Sequence, residues 1–408
     1  MAQDKDLKTP NVPPLRFPGF TDEWKKYELN QLVKRVTRKN KDEESKIALT
    51  ISAQYGLVDQ ESFFNNKVAS SDLSHYYLLL KGDYAYNKSY SSGYPWGAVK
   101  RLNLYEKGAV STLYICFRPV DTVDSDYIGH YFESKKWHKG VSEIAVEGAR
   151  NHGLLNVGVK DFFETVHFVP SIDEQKKISA LLNLIDERIS TQNKIIDNLK
   201  SLIKGLNDSF HRNCNGELVS FSEIGYAYSG LSGKKGEDFG EGSPYITYLN
   251  VYQNDVIDET QVGYVRIDDS ESQHLLSKGD LLFTLSSETP EEVGIGSVYL
   301  GESDRYYLNS FCFGVSITKT DKIYPPYLAF LVSSQQFRKF VYPLAQGSTR
   351  FNLQKNDFLK KEFVLPSLSE QKELSDNLNK LTERLRVEIR LNVLYIKQKE
   401  HLLSKLFI

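Results

Sequence analysis

Apolar residues recur at every third or fourth position from Asp173 to Phe210. Ile178, Leu182, Ile185, Ile189, Ile196, Leu199, Ile203, Leu206 and Phe210 hold one register, and Gln192 is the single polar residue on the stripe. Spacing that alternates four and three without a slip predicts a helix packed along its length against another helix. The segment holds no proline and one glycine, Gly205, so nothing breaks a rod of about 55 Å at 1.5 Å per residue. A second stretch, Ser369 to Ile408, begins a matching stripe with Leu374, Leu378, Leu381 and Leu385. At Glu388 and Asn392 that stripe meets polar residues, while Ile389, Val393, Ile396, Leu402, Leu403, Leu406 and Phe407 spread more widely. This predicts a stutter or a broader contact face. Both stretches start alike, with a proline, then Ser171 or Ser367 and Asp173 or Ser369 as caps, and glutamate in the first turn.

The likeness extends upstream. Asn156, Asp161, Phe162, Pro170, Glu174, Gln175 and Lys176 recur as Asn352, Asp357, Phe358, Pro366, Glu370, Gln371 and Lys372, an unbroken offset of 196 from Asn156 to Asn352. Lys81-Gly82-Asp83 answers Lys278-Gly279-Asp280, and Tyr127 answers Tyr327, at slightly larger offsets. The chain is a duplication, with a period too long for a solenoid. The pattern divides it into an arm (1–20), a domain (21–172), a helix (173–212), a second domain (213–368) and a second helix (369–408). Only His211 to Gly216 join the first helix to the second domain, and a compact domain often has its entry and exit close together. The second helix is therefore expected to run back antiparallel to the first. The two similar domains would then be separated by two long antiparallel coiled-coil helices and related by a pseudo-two-fold axis.

Each domain reads as α+β, rich in short strands and punctuated by glycine and proline. Lys46–Ser52, Asp83–Tyr86, Val110–Phe117 and Thr165–Val169 predict strands, and Asp126–Lys139 a helix. In the second copy Tyr245–Val251, Asp280–Leu285, Gly296–Leu300, Phe311–Ile317 and Lys361–Leu365 predict strands, and Pro326–Val341 a helix. Asn156, Asp161, Asn352 and Asp357 read as caps and turn-formers at the domain exits.

At 408 residues there is room for two or three cores, and no run of about 18 apolar residues suits a bilayer span. Met1 to Pro14 is polar and has no apolar stretch of a secretory signal. Cys116, Cys214 and Cys312 lie far apart, which argues against a zinc or disulfide framework and for a reducing cytoplasm. The net charge of −2 excludes a uniformly basic nucleic-acid coat but allows a basic face.

Catalytic signatures are missing. There is no P-loop, HExxH or GxSxG, Gly294-Ile295-Gly296 is a lone GxG, and the eight histidines show no metal-ligand spacing. Tyr324-Pro325-Pro326-Tyr327 approaches an adenine-methyltransferase pocket, but its leading tyrosine cannot make the polar contact of Asn or Asp, so the prolines are expected to start a helix. Glu291-Glu292, after Thr-Pro, reads as a solvated turn. No cofactor is therefore expected in this chain.

Two similar but non-identical modules held apart suit an extended, pseudo-symmetric ligand, and duplex DNA is one. The candidate contacts lie in loops. In the first domain they are Lys34, Arg35 and Arg38 within a basic run, Lys88, Ser89, Tyr90, Ser92 and Tyr94, Lys100-Arg101, and Arg150 with Asn151. In the second they are Lys234, Lys235, Ser286, Ser287, and Ser348, Thr349 and Arg350 in a Gly-Ser-Thr-Arg loop. Lys and Arg neutralise phosphates, whereas Arg, Asn and Ser pair with base edges. The basic run reads equally as a solvated face, and the Tyr/Ser/Gly segments as ordinary loops.

Pro14-Leu15-Arg16-Phe17-Pro18-Gly19-Phe20 with Glu23-Trp24, and the two Pro…Glu-Gln-Lys junctions leading into long helices, resemble the specificity subunits of type I restriction-modification systems. Gly279-Asp280-Leu281-Leu282-Phe283-Thr284 is similar to a strand of that family's target-recognition domains, with Leu285 in place of a frequent arginine. The resemblance covers essentially the whole chain. It implies a bipartite asymmetric DNA site, one half for each domain, and helices that set the spacer and dock two modification subunits. Those subunits would carry S-adenosylmethionine and adenine N6 methylation, and restriction subunits using ATP and Mg would join through them to translocate and cleave. Leu181, Leu184, Ile195 and Leu202, off the seam, become candidate subunit contacts, or else they widen the helix pair. The competing readings are a non-DNA scaffold bearing two ligand modules, which predicts no salt-dependent DNA affinity, and a stand-alone methyltransferase, which predicts S-adenosylmethionine binding by the chain alone.

Overall fold

The computed structural model describes residues 11–408 except 53–54, 65–71, 90–92, 146–154 and 269. It divides into two compact units. The first comprises Met1–Asn193 with Arg390–Ile408, and the second Lys194–Ile389.

In the first unit, strands run in the order Val33–Arg35, Ile115–Pro119, Tyr84–Asn87, Ala98–Arg101, all antiparallel. The second unit repeats this order with Gly225–Ser229, Cys312–Ile317, Leu281–Thr284 and Gly296–Val298. Each unit also pairs its entry and exit strands, Lys25–Glu28 with Val166–Val169 and Glu217–Ser220 with Glu362–Leu365. The duplicated sequence is thus a duplicated α+β scaffold. Aromatic residues fill equivalent places in the two cores. Tyr86 stacks on Phe162 at 4.8 Å in one, and Phe283 meets Phe358 at 5.0 Å in the other. Burying such a ring contributes roughly 2–3 kcal/mol.

The repeated Lys-Gly-Asp turn has a local cause. Gly82 and Gly279 adopt φ of 87° and 94°, where a Cβ would be strained. The buried Asp83 and Asp280 carboxylates accept the backbone N–H three residues back, from Leu80 and Ser277. The repeated Glu-Gln-Lys also resolves: Gln175 and Gln371 are buried where each long helix starts and bond to their own domain.

The long helices are Ile172–Asn213 and Leu368–Lys405. Within the first unit, Ile178 and Leu182 share a core with Leu403, Leu406 and Phe407, Arg188 Nε donates to Tyr395 Oη at 3.1 Å, and Asn392 Nδ2 donates to Asn193 Oδ1 at 2.9 Å. Residue numbers rise along one helix as they fall along the other, so the segments are antiparallel. Within the second unit, Ile203 and Phe210 pack on the core that holds Leu374 and Leu378 and that Leu381 also joins. Ile185, Ile189 and Leu199 are half-buried, Ile196 is buried, and Leu385 is half-buried.

Three expectations change. First, the C-terminal stripe has no stutter. It continues through Glu388, Asn392, Tyr395, Lys399, Leu402 and Leu406 in the same four-three spacing, with Glu388 only 3% exposed. Polar residues occupy seam positions and Ile389, Val393 and Ile396 face solvent, whereas at the helix end Leu402, Leu403, Leu406 and Phe407 all join the first core, so the contact face does broaden there. Leu181 packs on the first core, while Leu184, Ile195 and Leu202 are exposed. Second, Leu206 leaves the seam at 44% exposure. Near the helix end Asn207 turns inward, donating to the Phe330 carbonyl at 2.8 Å, and the His211 ring stacks on Tyr327.

Third, several elements are shorter than expected. Tyr245–Val251 is not one strand: Thr247 Oγ1 accepts Asn250 N–H and starts the helix Tyr248–Gln253. Each domain helix is broken at an equivalent serine. Ser134 ends Ser125–Glu133 before His138–Ile144, and Ser334 caps Gln335–Val341 after Pro325–Ser333. Val110–Phe117 divides into Lys107–Val110 and Ile115–Pro119, and Asn352 lies in the strand Phe351–Leu353 rather than in a cap. Among the described residues no helix is long and apolar enough to cross a membrane.

Candidate nucleic-acid interface

In the first unit, Lys34 and Arg35 lie exposed on an edge strand opposite Arg118 and Phe117. Arg38 is partly engaged. Its guanidinium reaches Asp83 Oδ2 at 2.8 Å, and Arg118 Nε reaches Asp83 Oδ1 at 2.5 Å, so two arginines compensate one buried carboxylate. Lys88 Nζ donates to the Val157 carbonyl at 3.1 Å, and Ser89 and Tyr94 are half-buried nearby in sequence. Tyr90, Ser92, Arg150 and Asn151 lie outside the described residues.

Lys100 and Arg101 do not form a loop. They sit on the strand Ala98–Arg101, where Arg101 pairs with Asp126 at 2.5 Å and Lys100 approaches Glu133 at 3.9 Å. His130, Glu133 and Asp186 place ligand-type atoms within 4.8 Å of one another. Lys399 Nζ, 2.7 Å from Glu133 and 2.6 Å from Asp186, already supplies a cation there. Burial pushes the Glu133 carboxyl up, but His130, Lys399 and Lys100 more than offset that and hold it at about 2.

In the second unit, Lys234 is paired with Glu271 and largely buried, whereas Lys235 is exposed. Ser286 and Ser287 are buried in a short strand and do not project as a loop. They pair with Asn352 and Phe351. The Ser286 carbonyl accepts the Tyr248 hydroxyl at 2.9 Å, and Ser287 Oγ donates to Glu292 Oε2 at 2.9 Å. The strands Ala345–Gln346 and Phe351–Leu353 form a hairpin whose exposed tip holds Ser348, Thr349 and Arg350. Arg350 Cζ lies 5.9 Å from the Phe311 ring, itself 56% exposed.

Four segments distant in sequence therefore meet: Tyr248–Gln253, Ser286–Glu292, Phe311 and the hairpin. The backbone of Leu285 ties them, its N–H donating to Phe311 and its carbonyl accepting from Leu353 at 3.0 and 2.8 Å. Tyr248, Tyr252 and Phe311 are not among the contacts the sequence suggests, and Glu292 reads there only as part of a solvated turn. The i, i+4 spacing of the two tyrosines carried the signal, hidden by reading that stretch as a strand. Glu292 is no free solvated turn residue, since Tyr252 Oη donates to its Oε1 at 2.7 Å. Those hydroxyl donors, Tyr252 first and then Ser287, hold its carboxyl below the usual range. Tyr324, Pro325 and Pro326 start a helix as expected, and Tyr327 is fully buried with Oη 3.1 Å from His211 Nε2.

Residues 218–393 match the family model described as "Type I restriction modification DNA specificity domain". The chain is 25% identical over 320 residues to the type I restriction enzyme MjaVIII specificity subunit of Methanocaldococcus jannaschii, covering 73% of this chain and 71% of that one. Its fold is similar to the type I restriction-modification S subunit from M. genitalium, with a TM-score of 0.52 at 16% identity over 97% of this chain and 99% of that one. A chain from a structure of type I restriction-modification complex assembly and conformational transition gives a TM-score of 0.60 at 15% identity, covering 97% and 99%.

Proposed function

The chain belongs to the specificity subunits of type I restriction-modification systems, and on that premise we propose that its two domains read the two halves of a bipartite, asymmetric DNA site across a spacer that neither contacts specifically. DNA sequence recognition is the task of this family's specificity domain, and specificity subunits are in general non-catalytic. One observation carries the bipartite reading. The scaffold is repeated down to sheet order, glycine turn and buried glutamine, while the residues presented above it differ between the copies. A repeated frame with unlike loops suits unlike half-sites.

The long helices set the spacer length and dock two modification subunits, and exposed Leu184, Ile195, Leu202, Val393 and Leu394 offer apolar area for that contact. The modification subunits hold S-adenosylmethionine and methylate adenine N6. Restriction subunits, with ATP and Mg, join through them. Lys34, Arg35, Lys235 and the hairpin tip Ser348–Arg350 approach the duplex. The assembly works in the cytoplasm. Methylation mapping in cells with and without the chain tests this: a gapped two-part motif that vanishes with the chain is expected. An ungapped motif, or none that depends on the chain, overturns it.

A further inference from the structure

From the cluster around Glu292 we infer that the second domain reads one C·G base pair, Glu292 accepting the cytosine N4 amino group and Arg350 donating to guanine O6 and N7. This rests on the DNA-recognition reading above. An ionised carboxylate on a DNA-facing surface is repelled by phosphates, so it needs a compensating donor, and in the major groove only exocyclic amino groups provide one. Glu292 is held for such a task. Tyr252 Oη occupies one lone pair of Oε1 and Ser287 Oγ one of Oε2, at 2.7 and 2.9 Å, and the Thr289 side chain is a third donor, so of the carboxylate's roughly four acceptor sites one stays open.

The turn bearing Glu292 is itself fixed. The Arg338 guanidinium donates to the carbonyls of Glu291, Val293 and Gly294 at 2.6, 2.9 and 3.0 Å. Three carbonyls converging on one half-buried cation preorganise the carboxylate, which makes Arg338 a positioning residue. The Tyr248 ring stacks on Tyr252 at 6.1 Å, and burial raises its phenol above the ordinary value, with the Glu292 charge adding to the rise and the Arg350 charge opposing it.

Between the two bases that offer an amino group, the chemistry favours cytosine. Adenine places the N7 lone pair beside its amino group, which repels a carboxylate; Asn or Gln, with a donor of their own, suit adenine. Cytosine places only C5–H there. Its partner guanine then presents two acceptors, O6 and N7, matched by a guanidinium. Arg350 sits at an exposed hairpin tip, its guanidinium 5.9 Å from the Phe311 ring.

The test maps methylation in cells carrying wild-type chain, Glu292→Gln or Arg350→Ala, each with its modification subunits. The expected wild-type motif holds a G·C pair in one half. Both variants are expected to relax that same pair by about 5- to 150-fold, leaving the other half unchanged, and Glu292→Gln to gain acceptance of A·T there. Variants that leave the motif unaltered overturn the inference, while a wild-type gapped motif keeps the bipartite reading intact. Absence of any gapped wild-type motif sinks the bipartite reading instead. If a variant methylates nothing, its melting profile and its binding to wild-type and single-pair-substituted duplexes decide. Loss confined to the C·G duplex supports the inference, and equal loss on all duplexes or loss of folding in both variants removes it.

Discussion

Gln371 Oε1 accepts the backbone N–H of Tyr324 at 2.9 Å, while its Nε2 donates to the carbonyls of Pro366 and Lys322 at 2.8 and 2.9 Å. Gln175 repeats the arrangement 196 positions earlier, accepting from Asp124 N–H and donating to the Pro170 carbonyl, both at 2.9 Å. Each side chain is buried and fastens the start of a long helix to its domain. Gln371→Ala strands an N–H and the carbonyls, each left unsatisfied at a cost of roughly 1–3 kcal/mol. Urea unfolding is expected to show a loss of about 2–4 kcal/mol. A loss under about 0.5 kcal/mol, the ordinary surface value, means the glutamine fastens nothing.

The helix seam gives a paired comparison. Leu182 is fully buried among Ile178, Leu403 and Phe407, whereas Leu206, on the same heptad stripe, faces solvent. Leu182→Ala is expected to cost about 2–5 kcal/mol, and Leu206→Ala within about 0.5 kcal/mol. Equal losses would place Leu206 back on the seam and make the inward turn of Asn207 irrelevant.

Lys34 and Arg35 are exposed neighbours on one edge strand, unlike Arg38, which shares Asp83 with Arg118. If both face phosphates, replacing the two with alanine lowers affinity for specific and random duplexes alike. The slope of log affinity against log salt then falls by about 2, close to one for each phosphate no longer neutralised. The assembled complex titrated between low and moderate salt gives that slope. An unchanged slope takes both residues off the DNA path.

The architecture was legible because a repeat doubles every signal. The 196-residue offset, the heptad stripe and the Lys-Gly-Asp turn each have a local physical cause that sequence spacing records. The polar seam of the C-terminal helix was misread because Glu388, Asn392 and Lys399 occupy positions that hydrophobic periodicity alone excludes. Lys399 is held there by Glu133 and Asp186, groups far away in sequence. The candidate interface was legible only as loose loop chemistry. Ser286 and Ser287 were found, but their burial was not, because it depends on pairing with Phe351 and Asn352. The Glu292–Tyr252 contact needs the helix Tyr248–Gln253, whose start depends on a single threonine cap.

His167 should make the first unit sensitive to mild acid. It lies buried between Tyr131 Oη and Thr165 Oγ1, 2.7 Å from each. Thr165 Oγ1 already donates to the Phe162 carbonyl at 2.7 Å, so it accepts from His167 Nε2–H, and Nδ1 is left to accept from Tyr131. Protonation would remove that acceptor and place a charge among buried rings, and burial holds the imidazole down at about 4. A histidine lowered in the folded state stabilises fully above its unfolded value near 6.5 and loses that contribution as pH falls toward 4. At about 1.4 kcal/mol for each pKa unit, the loss is roughly 3 kcal/mol across that window. Glu133, held at about 2, acts in a separate window below about 4.5, so it does not mask the effect. Denaturant unfolding at pH 7, 6, 5 and 4.5 should show the decline in the wild-type chain and a flatter profile in His167→Gln, whose amide does not titrate. Parallel profiles for the two proteins would assign the acid sensitivity to other groups.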